Sequence, residues 1–125
     1  MKVTLHRTSE VINGSLVQIN NLNVAEPLAT LTMSGVATNC RTVEIQETPE
    51  SPVETVAVCE VVLEGACQAL LSGSAPAEGG YIYADGARVS LTASGQRIGR
   101  LIPRGWSSVA PYVDGELVTC FICGV

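Results

Sequence analysis

The run PAEGGYIYADGARVSLTASGQRIGRLIPRGWSSVAPYVDGELVTCFICGV, Pro76 to Val125, decides the fold. Its short β-branched segments are cut at nearly even intervals by Gly79-Gly80, Asp85-Gly86, Ser94-Gly95, Arg104-Gly105 and Asp114-Gly115. Glycine supplies the positive φ of tight turns, and Val, Ile, Thr and Tyr suit the pleated backbone between them. The punctuation predicts an all-β chain, a small β-barrel or sandwich-like module with glycine-rich turns. Strands are expected at Tyr81–Tyr83, Arg88–Thr92, Arg97–Ile102 and Glu116–Cys123.

Upstream, Val53 to Leu63 (VETVAVCEVVL) alternates with a period of two rather than 3.6 and predicts another strand. Ala66 to Leu71 (ACQALL) fits either a strand or a helical turn. The segment Glu47-Thr-Pro-Glu-Ser-Pro52 sets two prolines among acids and hydroxyls, a loop composition, and divides the chain. Residues 1–50 are then an amino-terminal region of arm and strands that contacts a partner, and residues 51–125 the β-rich module. Val3 to Arg7 reads as a short strand or extended arm, able to add to the sheet edge of another chain and removable without loss of the fold. Asn13-Gly14, between Val11-Ile12 and Ser15 to Ile19, predicts a type I′ hairpin. The same residues spell an Asn-Gly-Ser glycosylation acceptor, but MKVTLHRTSE carries no apolar leader segment and the turn reading takes precedence. Pro27 to Met33 and Arg41 to Gln46 are further expected strands.

The 125 residues suffice for one core. Hydrophobic residues make up 46 % and aromatic residues 4 %, so that core is built from small aliphatic side chains. A net charge of −5 argues against binding nucleic acid or an anionic membrane by phosphate neutralisation. No stretch is apolar enough for a membrane-spanning helix. The charge is unevenly spread. Eight acids and no Lys or Arg occur from Thr42 to Asp85, whereas Arg88, Arg97, Arg100 and Arg104 follow with no acid among them. Solvated faces produce such runs, and so do paired acidic and basic docking surfaces.

His6 is the only histidine, and no nucleophile elbow, phosphate loop or metalloprotease motif occurs. The acid pairs Glu44/Glu47 and Asp114/Glu116 read as solvated surface. Five cysteines are an odd number and read as small buried hydrophobes. Cys120 and Cys123 have metal or redox spacing but no companion ligand pair, and three-residue spacing on a strand sends the thiols to opposite faces. The expectation is a chain that is not an enzyme and carries no cofactor. A small metal/redox module or an adaptor β-domain of a larger complex is the alternative. Trp106, beside arginines, is either an interface anchor or a cap on the core.

Cys59–Gly65 (CEVVLEG), Ala75–Gly80, Ala84–Val89, Gly95–Gly99 and the closing Gly115–Cys123 together form an order of strands and turns. That order resembles the capsid cement, or head decoration, proteins of tailed bacteriophages. The resemblance covers roughly Val53 to Val125. It implies a β-rich, catalytically inert protein, commonly a homotrimer, made in the host cytoplasm and bound to the capsid exterior. There it would bridge subunits of the major capsid protein against internal DNA pressure, with no direct contact to nucleic acid or membrane. The residues expected to carry that interface are Val3, Leu5 and Arg7 on the arm, with Arg97, Arg100, Arg104 and Trp106 on the basic stretch.

Overall fold

A computed structural model describes residues 2–29, 33–93, 97–103 and 110–123. The chain is all-β, with two five-stranded sheets. The first contains β1 (Lys2–Arg7), β2 (Leu16–Ile19), β3 (Val24–Pro27), β4 (Gly35–Ile45) and β5 (Glu54–Val62). It closes on itself in the order β1-β3-β2-β4-β5, with β5 returning to β1. The second contains β6 (Gly65–Leu70), β7 (Gly80–Asp85), β8 (Arg88–Ser90), β9 (Arg97–Leu101) and β10 (Leu117–Ile122), in the order β6-β10-β9-β7-β8. One parallel bridge, Leu71 to Val89, ties its two edges together.

The two sheets share a wall. Along β2, β4 and β5, consecutive residues point into different cores. Val17, Ala37 and Val61 fill the closed first sheet with Val11, Ala25 and Cys59. Their neighbours Leu16, Val36 and Val62 pack instead with Ile82, Leu101, Val118 and Ile122 of the second sheet. A strand buried on both faces reads as a continuous apolar run, which is why LV, VA and VV stand unbroken at these positions.

Several expectations change. Lys2–Arg7 is no free arm, because β1 lies between β3 and β5, parallel to the former (His6 opposite Val24) and antiparallel to the latter (Lys2 opposite Val62). Val3 and Leu5 face inward against the first core. Arg7 is half-buried; its Nε donates to the Val58 carbonyl at 2.9 Å and its terminal nitrogens to those of Val11 and Arg41 at 3.3 Å. Asn13-Gly14 makes a turn, but it is neither the expected type I′ turn, since of the two only Gly14 has a positive φ, nor a hairpin. Ser15 N–H donates to Ile12 O, whereas β2 pairs with β3 and β4. Gly14 instead joins the two sheets, its N–H donating to Ala37 O and its carbonyl accepting from Leu70 N–H. Its φ is +91°, and a Cβ there would sit 2.9 Å from Leu70 N as well as against Leu117.

The third strand is Val24–Pro27; of the strand expected at Pro27–Met33, Leu28, Ala29 and Met33 lie in no strand and residues 30–32 lie outside the described residues. Residues 47–52 form the loop of one long hairpin, with Ile45 opposite Glu54, and β5 belongs to the amino-terminal sheet. The all-β expectation, a small barrel or sandwich-like module, takes the form of two sheets: the closed sheet draws four of its five strands from the first 45 residues, and the strands from Gly65 onward form the second sheet. Gly65–Leu70 resolves as a strand, because its register with β10 runs without interruption from Leu70 opposite Leu117 to Gly65 opposite Ile122.

Deleting residues 1–8 opens the first sheet between β3 and β5, and the expected outcome is loss of cooperative unfolding in urea. Gly14→Ala is expected to cost about 2 kcal/mol by the same measurement, since it adds left-handed strain to a close approach. Arg7→Met strands three carbonyls and is expected to cost about 2–3 kcal/mol.

Candidate interaction surface

The outer face of the second sheet is organised by β9. Arg100 stands opposite Tyr81 of β7 on one side and Phe121 of β10 on the other. A guanidinium thus lies in a three-strand row between two aromatic rings, where cross-strand neighbours come within contact distance. A register shift at Ile82/Tyr83 lets Arg97, three residues away, reach the same face. Arg97 lies over the Tyr81 ring with 4.2 Å from Cζ to centroid, and Arg100 approaches the same ring at 5.7 Å. Both arrangements place a cation on the negative face of a π system. Among the described residues, neither guanidinium makes an ion pair with an acid.

Beside the row lies a depression of about 480 Å³ lined by Tyr81, Arg97, Arg100, Ile102, Phe121 and Cys123. Its floor comes from the close packing of β9 on β10, which Gly99 permits, because a Cβ there would strike the Phe121 carbonyl. Tyr81 is 53 %, Phe121 47 % and Ile102 38 % exposed. The chain has three Tyr, one Trp and one Phe, and it places at least two of those five rings in solvent, whereas among the described rings only Tyr112 is buried in a core.

A second exposed feature is acidic. β1 follows β5 only as far as Val58, so residues 42–45 and 54–57 form a two-stranded ribbon that pairs with no other strand among the described residues. Glu44, Glu47, Glu50 and Glu54 are exposed along it and its loop, and no Lys or Arg lies between Thr42 and Glu54. Ile45 and Val53 are exposed there as well. The loop is held by the Gln46 side chain, whose amide donates to the carbonyls of Pro49 and Ser51.

Of the residues expected at an interface, the structure brings Arg97 and Arg100 together on this face. It places Val3, Leu5 and Arg7 inside the first sheet. Arg104 and Trp106 lie outside the described residues. Sequence reading missed Tyr81 and Phe121. The period-two pattern LVTCFI in β10 already assigns Phe121 to the side opposite Val118, Cys120 and Ile122, which are all buried.

Candidate chemistry is sparse. Among the described residues, no group of three or more His, Cys, Asp and Glu could hold a metal ion. The acid pair at residues 114 and 116 is occupied structurally. Asp114 accepts from Gly73 N–H at 2.8 Å and pairs with Arg88 at 3.6 Å, while Glu116 accepts from Val113 N–H. Cys120 is buried and Cys123 exposed, so the C-x-x-C thiols diverge.

No family model, curated protein or solved structure matches the chain. Nothing in these comparisons supports a capsid, virion or phage identity, and the description of the chain as a β-barrel is corrected to a two-sheet, all-β chain. Because Tyr81 and Phe121 project into solvent, Tyr81→Ser/Phe121→Ser is expected to change unfolding free energy by no more than about 1 kcal/mol. Urea denaturation checks that these rings serve something other than stability.

Proposed function

We propose that this chain is a non-catalytic structural protein that braces neighbouring subunits of a larger protein assembly. The observation carrying this reading is the Tyr81–Arg100–Phe121 row with Arg97. It is an exposed, aromatic-flanked pair of cations on a sheet face, the composition enriched in binding hot spots. The acidic ribbon complements it, and electrostatic complementarity of this kind fixes orientation between subunits. In the proposed arrangement, the ribbon of one copy approaches the arginine face of the next, making a homo-oligomer.

Which assembly is braced rests on the turn-and-strand resemblance alone. That resemblance implies the exterior of an icosahedral phage capsid, with the major capsid protein as partner, three copies of this chain per site, and synthesis in the host cytoplasm. Binding of this kind stabilises the assembled shell by mass action, in proportion to its preference for the assembled form.

Arg97→Glu/Arg100→Glu is expected to weaken self-association at least about tenfold in analytical ultracentrifugation, and Glu44→Lys/Glu54→Lys to do the same. Mixing the two variants is expected to restore association. If neither variant changes the mass in solution, the ribbon and the arginine face do not meet. Co-sedimentation with undecorated capsids tests the bracing itself; a chain that stays in the supernatant at saturating concentration removes the capsid from the account.

A further inference from the structure

Cys67 on β6 and Cys120 on β10 are directly opposed in register, and their Sγ atoms lie 3.7 Å apart. Directly opposed residues of antiparallel strands have Cα atoms roughly 4.5–5.5 Å apart, inside the ~4.4–6.8 Å range that a disulfide spans. Closing the gap to the ~2.0 Å of an S–S bond requires a side-chain adjustment rather than movement of a strand. The two thiols differ in access. Cys120 is fully buried in the second core, whereas Cys67 is half-buried and lines a cleft of about 330 Å³ between the two sheets. Lys2, Thr38 and Val62 from the first sheet and Ala66, Gln68 and Thr119 from the second form the rest of that cleft's wall.

We propose that Cys67 and Cys120 form a thiol–disulfide exchange site that takes low-molecular-weight disulfides through the inter-sheet cleft and becomes a cross-strand disulfide joining β6 to β10. The Cys67 thiolate attacks one sulfur of the incoming disulfide RSSR. Its S–S bond breaks, a mixed Cys67–S–S–R disulfide forms, and RS⁻ leaves, taking up the proton that Cys67 lost. Cys120 then attacks the Cys67 sulfur, gives its proton to the second departing RS⁻, and completes the Cys67–Cys120 bond. Two protein thiols are oxidised and one RSSR is reduced to two RSH.

The division of roles follows from the local environment. Cys67 is the member that opens on the cleft, and the thiol–thiol hydrogen bond holds it below the ordinary cysteine range, while that same bond and burial push Cys120 upward. A depressed thiol is the nucleophile, and its buried partner resolves the intermediate. The chain contains an internal control. Cys40 and Cys59 also interact, at the irregularity in β4, but Cys59 is fully buried and burial pushes its thiol up to about 11. Burial raises Cys40 too, so neither member of that pair supplies much thiolate at neutral pH.

The test uses the full chain carrying Cys123→Ser, which removes the exposed thiol, with oxidised glutathione as the probe. Peptide mapping after oxidation is expected to find Cys67 linked to Cys120, formed at least about tenfold faster than any Cys40–Cys59 link. Adding Cys120→Ala is expected to leave glutathione trapped on Cys67, and Cys67→Ala is expected to leave Cys120 unmodified. The map of the chain with both cysteines present decides the matter even where a core variant folds poorly. A map with Cys67 and Cys120 still reduced, or with both pairs oxidised at one rate, overturns the proposal.

Discussion

The structure depends on a wall with two apolar faces. β2, β4 and β5 present Val17, Ala37 and Val61 to one core and Leu16, Val36 and Val62 to the other. Each strand therefore stabilises both sheets at once, and neither core is complete without it. The arrangement suits a composition poor in large rings, because two thin cores of valine and leucine share one set of backbone hydrogen bonds. It also explains the demand for close approach at the junction. A Cβ on Gly35 would strike the Val62 carbonyl, and a Cβ on Gly14 would press on Leu70 and Leu117. Both glycines sit where the shared wall meets its neighbours.

The same wall sets what the sequence could reveal. Local signals carried well: Asp85-Gly86 gives the tight β7–β8 turn, with Gly86 at φ +58°, and the period-two runs in β5 and β10 became strands. Non-local pairing did not carry. KVTLHR alternates polar and apolar residues as an edge arm would, but the same pattern fits a strand with one face inside a closed sheet. Its partners lie about twenty and more than fifty residues away, a distance over which periodicity gives no register. Asn13-Gly14 shows tertiary structure overriding a strong local preference. A turn forms without the positive φ at Asn13 that type I′ requires, and the backbone on either side of it is taken by Ala37, Leu70 and Ala87 rather than by a hairpin partner.

The candidate surface was half legible for the same reason. Arg97 and Arg100 stood out as charge in an acid-free stretch, but their shared face arises from an irregularity between β7 and β9 that spacing alone contradicts, since residues three apart on a regular strand diverge. Tyr81 and Phe121 become significant only when β9 is placed between their strands. The cysteines follow the same logic more sharply. C-x-x-C drew attention to Cys120 and Cys123, whereas the thiol that meets Cys120 is Cys67, which sits beside it only because β6 pairs with β10.

Two chemically distinct features therefore ride on one scaffold, on different sides of it. The aromatic–arginine face looks outward from β7, β9 and β10, while the thiol pair lies where β6 and β10 border the inter-sheet cleft. β10 belongs to both, sending Phe121 out and Cys120 in by alternation. A bond between Cys67 and Cys120 would fix the edge strand β6 to the strand that carries Phe121. Constraining an edge adds no contact to the outer face, but it removes the opening motions that would separate β10 from its neighbour, and a surface whose geometry is held loses less entropy on docking. The reduced pair packs as two small apolar side chains, so the scaffold stands in either state and oxidation changes its stiffness rather than its fold.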